Sequence, residues 1–287
     1  MDKKTVIGVD LGGTKVHSAS IRDKEIVKSS RKLVSANGSE EQVVAEVIAT
    51  IEAVFEPSVV GIGVGVPSVV DIDRGIVYDV QNIPSWKEVH LKQILQDRFQ
   101  VPVYVNNDAN CFAIGEFYFG RGQHSKNMIG LIVGTGMAGG IIINNQLYNG
   151  SNCGAGEFGM MPYLEHNYEY YCSGQFFGHR YDTTGEALFK LAAKGDTEAF
   201  RIFDEFGQHL GKAIIAILYA LDTELIILGG SVSKAYRYYK AALWEALQDF
   251  AYSHTIDRLR IEVSENNNIP IMGAAALYYD AQIEASK

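Results

Sequence analysis

The segment VPVYVNNDANCFAIGE, Val101 to Glu116, changes character at its centre. Its first part is rich in β-branched residues and ends in two asparagines and a carboxylate, whereas the composition from Ala109 to Tyr118 predicts a helix. Asp108 is therefore predicted at a strand end and a helix start, where a carboxylate can face a cleft on a fixed backbone. The same residue types allow a second interpretation, in which Asp108 or Asn110 only caps the helix.

A glycine turn interrupts the first predicted strands. The patterns from Thr5 to Val9 and from Val16 to Ile21 predict a hairpin. Glycine amides can converge on phosphate oxygens because no Cβ intervenes, and a threonine hydroxyl adds a donor. The candidate phosphate-binding residues of this turn are Gly12, Gly13, Thr14 and Lys15. A plain glycine hairpin is the alternative, since the turn matches neither GxxxxGK[ST] nor GxGxxG.

Asp10 ends the strand that enters this turn. Mg²⁺ prefers oxygen ligands and keeps several waters in its coordination shell. Asp10 is therefore placed to hold Mg²⁺ through water.

The same pattern returns in IGLIVGTGMAGGIII, Ile129 to Ile143, where Gly134 stands 122 residues after Gly12. An apolar strand enters the turn Gly134, Thr135 and Gly136, and a second strand follows it. Two strand, glycine turn and strand units predict two halves of similar build, each offering a phosphate-binding turn to a shared cleft.

Strands and helices alternate through the rest of the chain. Val59–Val70 is typical of a strand buried on both faces of a parallel sheet, and Pro67 ends this strand. Glu40–Phe55 has helical spacing that supplies the helix before it. Tyr236–Ser253 is predicted as one helix. The closing helix, predicted over Gly273–Ile283, carries three consecutive alanines that allow close packing, and we expect it to return to the first lobe.

A third glycine pair, Gly229 and Gly230, follows a short buried strand at Leu225–Leu228. The pair permits a nucleobase or ribose to lie against the backbone, and a helix-starting turn is the alternative. We predict an α/β fold of two lobes. The small lobe covers residues 1–115 with about 275–287, and the large lobe covers 116–274.

Composition narrows the class of partner. A net charge of −9 without a basic run argues against nucleic acid and anionic membranes, which bind clustered Lys and Arg. The start MDKKTVIGVD has no signal-peptide pattern and no long apolar run follows, so we expect a cytoplasmic protein. Cys111, Cys153 and Cys172 are odd in number and widely spaced, which favours small buried apolar residues over a disulfide framework or metal ligands.

Seven sequence blocks, in this order, resemble the ROK family (repressor, open reading frame, kinase) of sugar kinases. The resemblance implies the duplicated, ribonuclease H-like fold of the actin-like ATPases, with two lobes and an interlobe cleft. The blocks are VDLGGTK at Val9–Lys15, GVGVP at Gly63–Pro67, NNDANCFAIGE at Asn106–Glu116, VGTGMAGGI at Val133–Ile141, GAGEFG at Gly154–Gly159, LDTELIILGG at Leu221–Gly230 and MGAAAL at Met272–Leu277.

The resemblance implies an ATP-dependent hexokinase-type reaction with Asp108 as proton acceptor. Asn107, Asp108 and Glu157 would bind sugar hydroxyls, and the two glycine turns would hold ATP phosphates with Mg²⁺ near Asp10. We expect glucose or a related aldohexose to be phosphorylated at the 6-hydroxyl, with fructose, mannose or an N-acetylhexosamine as alternatives. A non-catalytic sugar-binding sensor, or degenerate ROK protein, is the other interpretation. The family's repressors carry a DNA-binding extension before the first turn, whereas nine residues precede Asp10, so we expect no repressor role.

The chain departs from the family where family members carry a histidine and a zinc-binding CxCGxxGC cluster. Met160 stands at the histidine position and the cluster is absent, so no zinc site is expected. In the same alignment Glu169 takes the place of a glutamate that contacts sugar. We expect aromatic residues to hold this loop instead, namely Phe158, Tyr163, Tyr168 and Tyr170.

The family often forms dimers, and a homodimer is expected here. Aromatic residues of the second half could face a partner or, more simply, pack in the core. They are Phe176, Phe177, Tyr181, Tyr236, Tyr238 and Tyr239.

Overall fold

The structure, a computed structural model, describes residues 4–284. Short and long strands alternate with helices along the chain. The strands are β1 Thr5–Leu11, β2 Lys15–Arg22, β3 Glu25–Leu33, β4 Val59–Val66, β5 Val69–Asp71, β6 Ile76–Tyr78, β7 Glu88–Val89, β8 Val103–Asn107, β9 Met128–Val133, β10 Met137–Ile143, β11 Gln146–Tyr148, β12 Pro162–Tyr163, β13 His166–Asn167, β14 Leu225–Gly229 and β15 Arg260–Val263.

The helices carry the apolar faces that cover the sheets. They are α1 Glu40–Glu52, α2 Leu91–Phe99, α3 Asp108–Phe119, α4 Tyr168–Cys172, α5 Gln175–Tyr181, α6 Gly185–Ala192, α7 Thr197–Leu221, α8 Tyr236–Leu247, α9 Ser253–Arg258 and α10 Ile269–Glu284. Short 3₁₀ turns lie at Phe158–Met160 and Val232–Ala235. No helix within residues 4–284 is long and apolar enough to cross a membrane.

Internal contacts divide the described chain into two units. Unit 1 contains residues 4–126, 140–155 and 266–284, and unit 2 contains residues 127–139 and 156–265. Compared with the lobes drawn from the sequence, unit 1 also takes in residues 116–126, 140–155 and 266–274. The lobe boundaries themselves stay a prediction.

Unit 1 is built on a sheet with the strand order β3-β2-β1-β4-β8. β1 and β2 form the predicted antiparallel hairpin, and β1, β4 and β8 run parallel. In this register Asp10 pairs with Gly65, and Gly65 pairs with Asn106. The carboxyl ends of three neighbouring strands therefore meet at one edge of the sheet.

The closing helix α10 packs directly on β1 and β4 within unit 1, as its alanines predicted. A Cβ on Gly8 would lie 1.9 Å from the Ile271 carbonyl oxygen, and one on Gly63 would lie 1.7 Å from that of Ala274. The helix begins at Ile269, earlier than predicted, because Pro270 falls in its first turn, where a missing N–H leaves no hydrogen bond unmade.

Unit 2 contains the parallel strands β9, β14 and β15 in that order. The single helix predicted over Tyr236–Ser253 was wrong at its end, because three successive N–H groups bond to carbonyls three residues back after Leu247, and the chain turns before α9 begins. Phe176, Phe177 and Tyr239 are fully buried in unit 2, which confirms core packing for these three aromatics. The homodimer stays a prediction.

The two halves repeat one local plan. β1 enters a glycine turn, leads into β2 and pairs in parallel with β4, while β9 enters a glycine turn, leads into β10 and pairs in parallel with β14. β10 begins in unit 2 and ends in unit 1, where it pairs antiparallel with β11. The predicted duplication is confirmed in this form.

Candidate active site

The first glycine turn connects β1 and β2 in unit 1. Gly12 donates its N–H to the Lys15 carbonyl oxygen at 2.9 Å. A Cβ on Gly13 would lie 2.3 Å from the Cβ of Asn82, so packing requires glycine there, whereas a Cβ on Gly12 would meet its nearest atom at 3.5 Å. Packing would therefore allow a larger side chain at position 12. Thr14 and Lys15 are exposed. The turn is open to a ligand.

Asp10 is half-buried and is the second-last residue of β1. Burial raises the pKa of its carboxyl, and the positive charges of Lys15 and Arg31 act against that rise. A carboxylate that has lost part of its hydration gains from a nearby cation, which fits a role in holding Mg²⁺.

Asn107 and Asp108 occupy the junction of β8 and α3. Asn107 is the N-cap of α3, and the Ala109 N–H donates to both Asn107 Oδ1 and Asp108 Oδ1 at 2.8 Å. The Asn107 side-chain amide also donates to the Ser68 carbonyl oxygen at 3.3 Å. The capping role allowed for Asp108 or Asn110 thus belongs chiefly to Asn107, and the Asp108 carboxylate is held at the sheet edge.

A network of side-chain amides around the buried Asn106 supports this junction. Asn106 Oδ1 accepts hydrogen bonds from the Asn107 N–H at 2.8 Å and from the Asn110 side chain at 2.9 Å. The Cys153 thiol donates to the same oxygen at 3.3 Å. Asn149 Oδ1 accepts from the Asn106 amide at 2.9 Å. Asn149 and Cys153, which lie far away in the sequence, therefore hold Asn106, two residues before Asp108.

Cys111 of α3 is buried near the Asp108 and Asp10 carboxylates. Burial raises the pKa of its thiol well above the usual range, and the nearby carboxylates of Asp108 and Asp10 add to the rise. Both carboxylates thus lie close to one side chain of α3. Cys111, Cys153 and Cys172 are all buried, as predicted.

The second glycine turn connects β9 and β10 in unit 2. Gly134 donates its N–H to the Gly136 carbonyl oxygen at 3.0 Å, and the nearest heavy atoms to a Cβ on Gly134 would be 3.8 Å or more away. Gly230 has a φ of 85°, and a Cβ there would lie 2.3 Å from the Val133 carbonyl oxygen. Gly229 ends β14 in register with Ile132 of β9. The second and third glycine pairs therefore follow adjacent strands.

A pocket of about 660 Å³ opens beside this turn, entirely within unit 2. Gly134 and Thr135 line it from one side, and the apolar side chains of Phe189, Phe203 and Val232 contribute to its wall. Other lining residues are Gly174, Gln175, Gly178, Thr183, Thr184, Gly185, Glu186, Ser231, Lys234 and Ala235. Apolar surface beside turn amides suits a flat base joined to phosphates.

Two carboxylates of unit 2 lie near each other. The Glu169 carboxylate accepts a hydrogen bond from the Met137 N–H at 3.0 Å. Desolvation and the negative charge of Glu169 raise the pKa of Glu157. A pair of this kind can accept hydrogen bonds from neutral hydroxyl groups.

Aromatic rings pack the loop that precedes α5. Tyr163 stacks on Tyr168 with 4.5 Å between ring centroids, and Tyr170 lies between His166 at 3.9 Å and His179 at 4.7 Å. Phe158 is buried. Met160 is 52% exposed, and within residues 4–284 no group of three His, Cys, Asp or Glu side chains is arranged to hold a metal ion.

The sequence pattern missed several residues of this region. Asn149 and Cys153 reach Asn106 across more than 40 positions, and Gln175 contacts both Thr135 and Glu169. The positive φ of Cys153, 55°, had no sequence signal because glycine and asparagine are the usual residues there. The serine and glycine before Gln175 could have drawn attention to it, since they follow a candidate sugar-binding glutamate.

Known proteins resemble this chain over nearly its whole length. A glucokinase of Thermotoga maritima is 29% identical over 312 aligned positions, which cover 96% of this chain and 98% of that protein. A ROK family glucokinase from Streptomyces griseus, solved in complex with glucose and AMPPNP, superposes with a TM-score of 0.78 at 25% identity, covering 95% of this chain and 98% of the other. A ROK hexokinase from Thermus thermophilus superposes with a TM-score of 0.79 at 24% identity over 97% and 99% of the two chains, which shows the shared fold.

These ROK sugar kinases have the two-lobed actin-like ATPase fold, and the duplicated α/β architecture described above is that fold. The sequence profile of the ROK family matches residues 6–281, nearly the whole chain. The chain belongs to the ROK family.

Proposed function

We propose that this protein is an ATP-dependent sugar kinase that phosphorylates a hexose, glucose or a related aldohexose, at its 6-hydroxyl. The observation that carries the proposal is the carboxylate of Asp108, which is held by the Ala109 N–H at the start of α3, directly after β8 at the edge where three parallel strands of unit 1 end. The ROK kinases to which the chain is similar support the reaction type.

Asp108 would accept the proton of the attacking hydroxyl. A carboxylate is a weak base, but the hydroxyl becomes acidic as it attacks phosphorus, so the proton need only transfer late. Such help contributes about 10²–10⁴-fold to rate. The hydrogen bond from Ala109 keeps the acceptor oxygen in one orientation, which limits the loss of entropy on reaching the reactive geometry.

Sugar hydroxyls would be bound by Asn107 and Asp108 of unit 1 and by Glu157 and Glu169 of unit 2. Carboxylates and amides are the usual partners of neutral sugars. The raised pKa of Glu157 means that it takes up a proton more readily than an ordinary glutamate. Sugar binding should therefore weaken toward acid pH through this residue.

Nucleotide would be bound by the turn residues Gly134, Thr135 and Gly136, with the base in the 660 Å³ pocket and Gly229 and Gly230 behind it. The turn residues Gly12, Gly13, Thr14 and Lys15 would offer amide, hydroxyl and ammonium donors to the phosphates. Asp10 would hold Mg²⁺ through water, and the ion supplies cancellation of phosphate charge.

Met160, which stands where the family carries a histidine, widens the range of candidate hexoses. A thioether accepts only weak hydrogen bonds, so the exposed Met160 leaves the sugar position contacted by the family histidine without a strong acceptor. Glucose is the first candidate, with mannose, fructose and N-acetylglucosamine as alternatives.

Purified protein is tested with these four sugars, ATP and Mg²⁺ in an assay that couples ADP release to NADH oxidation. We expect ADP release that depends on at least one sugar, and a sugar 6-phosphate as product. Asp108→Asn keeps an oxygen for the Ala109 N–H and should bind the sugar within about threefold of wild type while losing at least about 10²-fold in turnover. Sugar binding in calorimetry without ADP release would favour the non-catalytic sensor, and near-normal turnover in Asp108→Asn would contradict the role of Asp108.

A further inference from the structure

One side-chain amide links the two ligand-binding parts of unit 2. Gln175, the first residue of α5, donates from Nε2 to the Thr135 carbonyl oxygen at 3.2 Å and to Glu169 Oε1 at 3.2 Å. Its own N–H donates to the Ser173 hydroxyl at 3.2 Å, which fixes the start of the helix. Gln175 also lines the 660 Å³ pocket.

Glu169 is held against the same turn by its second oxygen. Oε2 accepts from the Met137 N–H at 3.0 Å, and a Cβ on Gly136 would lie 2.5 Å from that oxygen. The Gly174 N–H donates to the Gly134 carbonyl oxygen at 2.7 Å. The segment from Glu169 to Gln175 is thus fastened to the turn at three points.

These bonds set the direction of the turn's N–H groups. A trans peptide is planar and its C=O and N–H point in opposite directions. Because Gln175 holds the Thr135 carbonyl, it directs the Gly136 N–H to the other side of that peptide. In the same way Gly174 holds the Gly134 carbonyl and directs the Thr135 N–H. The two amides assigned to phosphate are therefore oriented by a segment that ends in the carboxylate assigned to sugar.

We infer that Gln175 is a positioning residue that couples the two substrates, so that sugar bound at Glu169 strengthens nucleotide binding at the Gly134–Gly136 turn. The inference rests on the proposed function and adds the coupling to it. A sugar that orders Glu169 also orders the Gln175 amide and, through it, the Gly136 N–H. The nucleotide then binds a turn that is already oriented. Thermodynamic linkage requires the converse effect of nucleotide on sugar affinity, and such couplings are typically about 5–150-fold.

The coupling is measured by calorimetric titration of AMPPNP with Mg²⁺, alone and with saturating glucose, mannose, fructose or N-acetylglucosamine. In wild type we expect the Kd of AMPPNP to fall at least about fivefold with one of these sugars. Gln175→Leu keeps the volume and removes the amide, so the ratio of the two Kd values should fall toward one. The Kd of sugar alone should stay within about threefold because Met137 still holds Glu169. Gln175→Ala serves as a second variant.

Gln208→Leu is the matched control. Gln208 is a glutamine of unit 2, and its side-chain amide donates to Glu245 at 3.1 Å rather than to the turn or to Glu169. It should keep the wild-type ratio and turnover. A purely structural role for Gln175 would weaken both ligands and lower the melting temperature without changing the ratio, and that result would overturn the inference. So would a wild-type ratio of one, in which case sugar-dependent ADP release would show that the kinase function still stands.

Discussion

The Cys153 thiol donates a hydrogen bond to the Asn106 side-chain oxygen at 3.3 Å, from a backbone conformation with a φ of 55°. A non-glycine residue in this region is strained, and strain that persists beside a candidate site suggests a use for the side chain. Here the thiol helps to hold the asparagine whose oxygen also accepts the Asn107 N–H.

Substituting Cys153 separates the strain from the hydrogen bond. Cys153→Ala loses the thiol and keeps the strain, whereas Cys153→Gly loses the thiol and relieves the strain. The glycine variant should therefore have the higher free energy of unfolding of the two, by about 1 kcal/mol. Urea unfolding measures the difference. An alanine variant as stable as the glycine variant would show that the conformation carries no strain.

Asn107 caps α3 and is proposed to bind the sugar, and two substitutions separate these roles. Asn107→Ala should lower the free energy of unfolding by about 0.5–1 kcal/mol, at the low end of cap losses because Asp108 still accepts the Ala109 N–H. Asn107→Ser keeps a capping oxygen and should stay near wild type. Both variants lose the side-chain amide, so both should raise the sugar KM by about tenfold or more. Equal instability of the two variants would contradict the capping assignment.

Gly134 and Gly136 differ in the space available for a side chain. Gly134→Ala meets no atom closer than 3.8 Å, so its stability should stay within about 0.5 kcal/mol of wild type, while the new methyl group at the pocket weakens AMPPNP binding by about tenfold or more. Gly136→Ala pushes against the Glu169 carboxylate at 2.5 Å and should weaken sugar binding as well. Calorimetry with each ligand distinguishes them. Unchanged AMPPNP binding in Gly134→Ala would argue against a phosphate at this turn.

Close packing of α10 on β4 depends on Gly63. A methyl group there would lie 1.7 Å from a backbone oxygen of α10, which cannot move away as a side chain could. Gly63→Ala should lower the free energy of unfolding by about 3 kcal/mol or more. Gly154→Ala is the control because a Cβ at Gly154 meets nothing within 4 Å. Similar melting temperatures for the two variants would contradict this packing.

The stability of the protein should depend on pH through Glu157. Its pKa is raised in the folded state by desolvation and by the charge of Glu169. The ionised carboxylate therefore costs stability at neutral pH, and this cost disappears as the pH falls through the raised pKa and below the ordinary one. Glu157→Gln should raise the free energy of unfolding at about pH 7 and leave it unchanged at about pH 3.5, where the carboxyl is protonated in both states. It should also weaken sugar binding.

Urea unfolding at the two pH values measures this dependence, with Glu224→Gln, at an exposed glutamate, as the control. A gain of equal size at both pH values would show that the charge of Glu157 is not its cause.

Much of this fold could be predicted from local sequence patterns. The glycine turns, the start of α3 after Asn107 and the buried strand β4 were predicted because they depend on residue spacing and on hydrogen bonds between near neighbours. The same local signals placed Asp10 and Asp108 at strand ends. They could not place the end of α8, because a helix that stops in a tightened last turn without glycine or proline leaves no marker in its composition.

The amino-acid sequence alone determined the repeated strand, turn and strand plan and the residue types offered at each turn, since both follow from short-range chemistry. Only the tertiary structure decided which distant groups hold those residues in place. Cys153 meets Asn106 across 47 positions and Gln175 meets Thr135 across 40. Such contacts form when the packing of whole elements brings chain segments together, and no periodicity in the sequence records that packing.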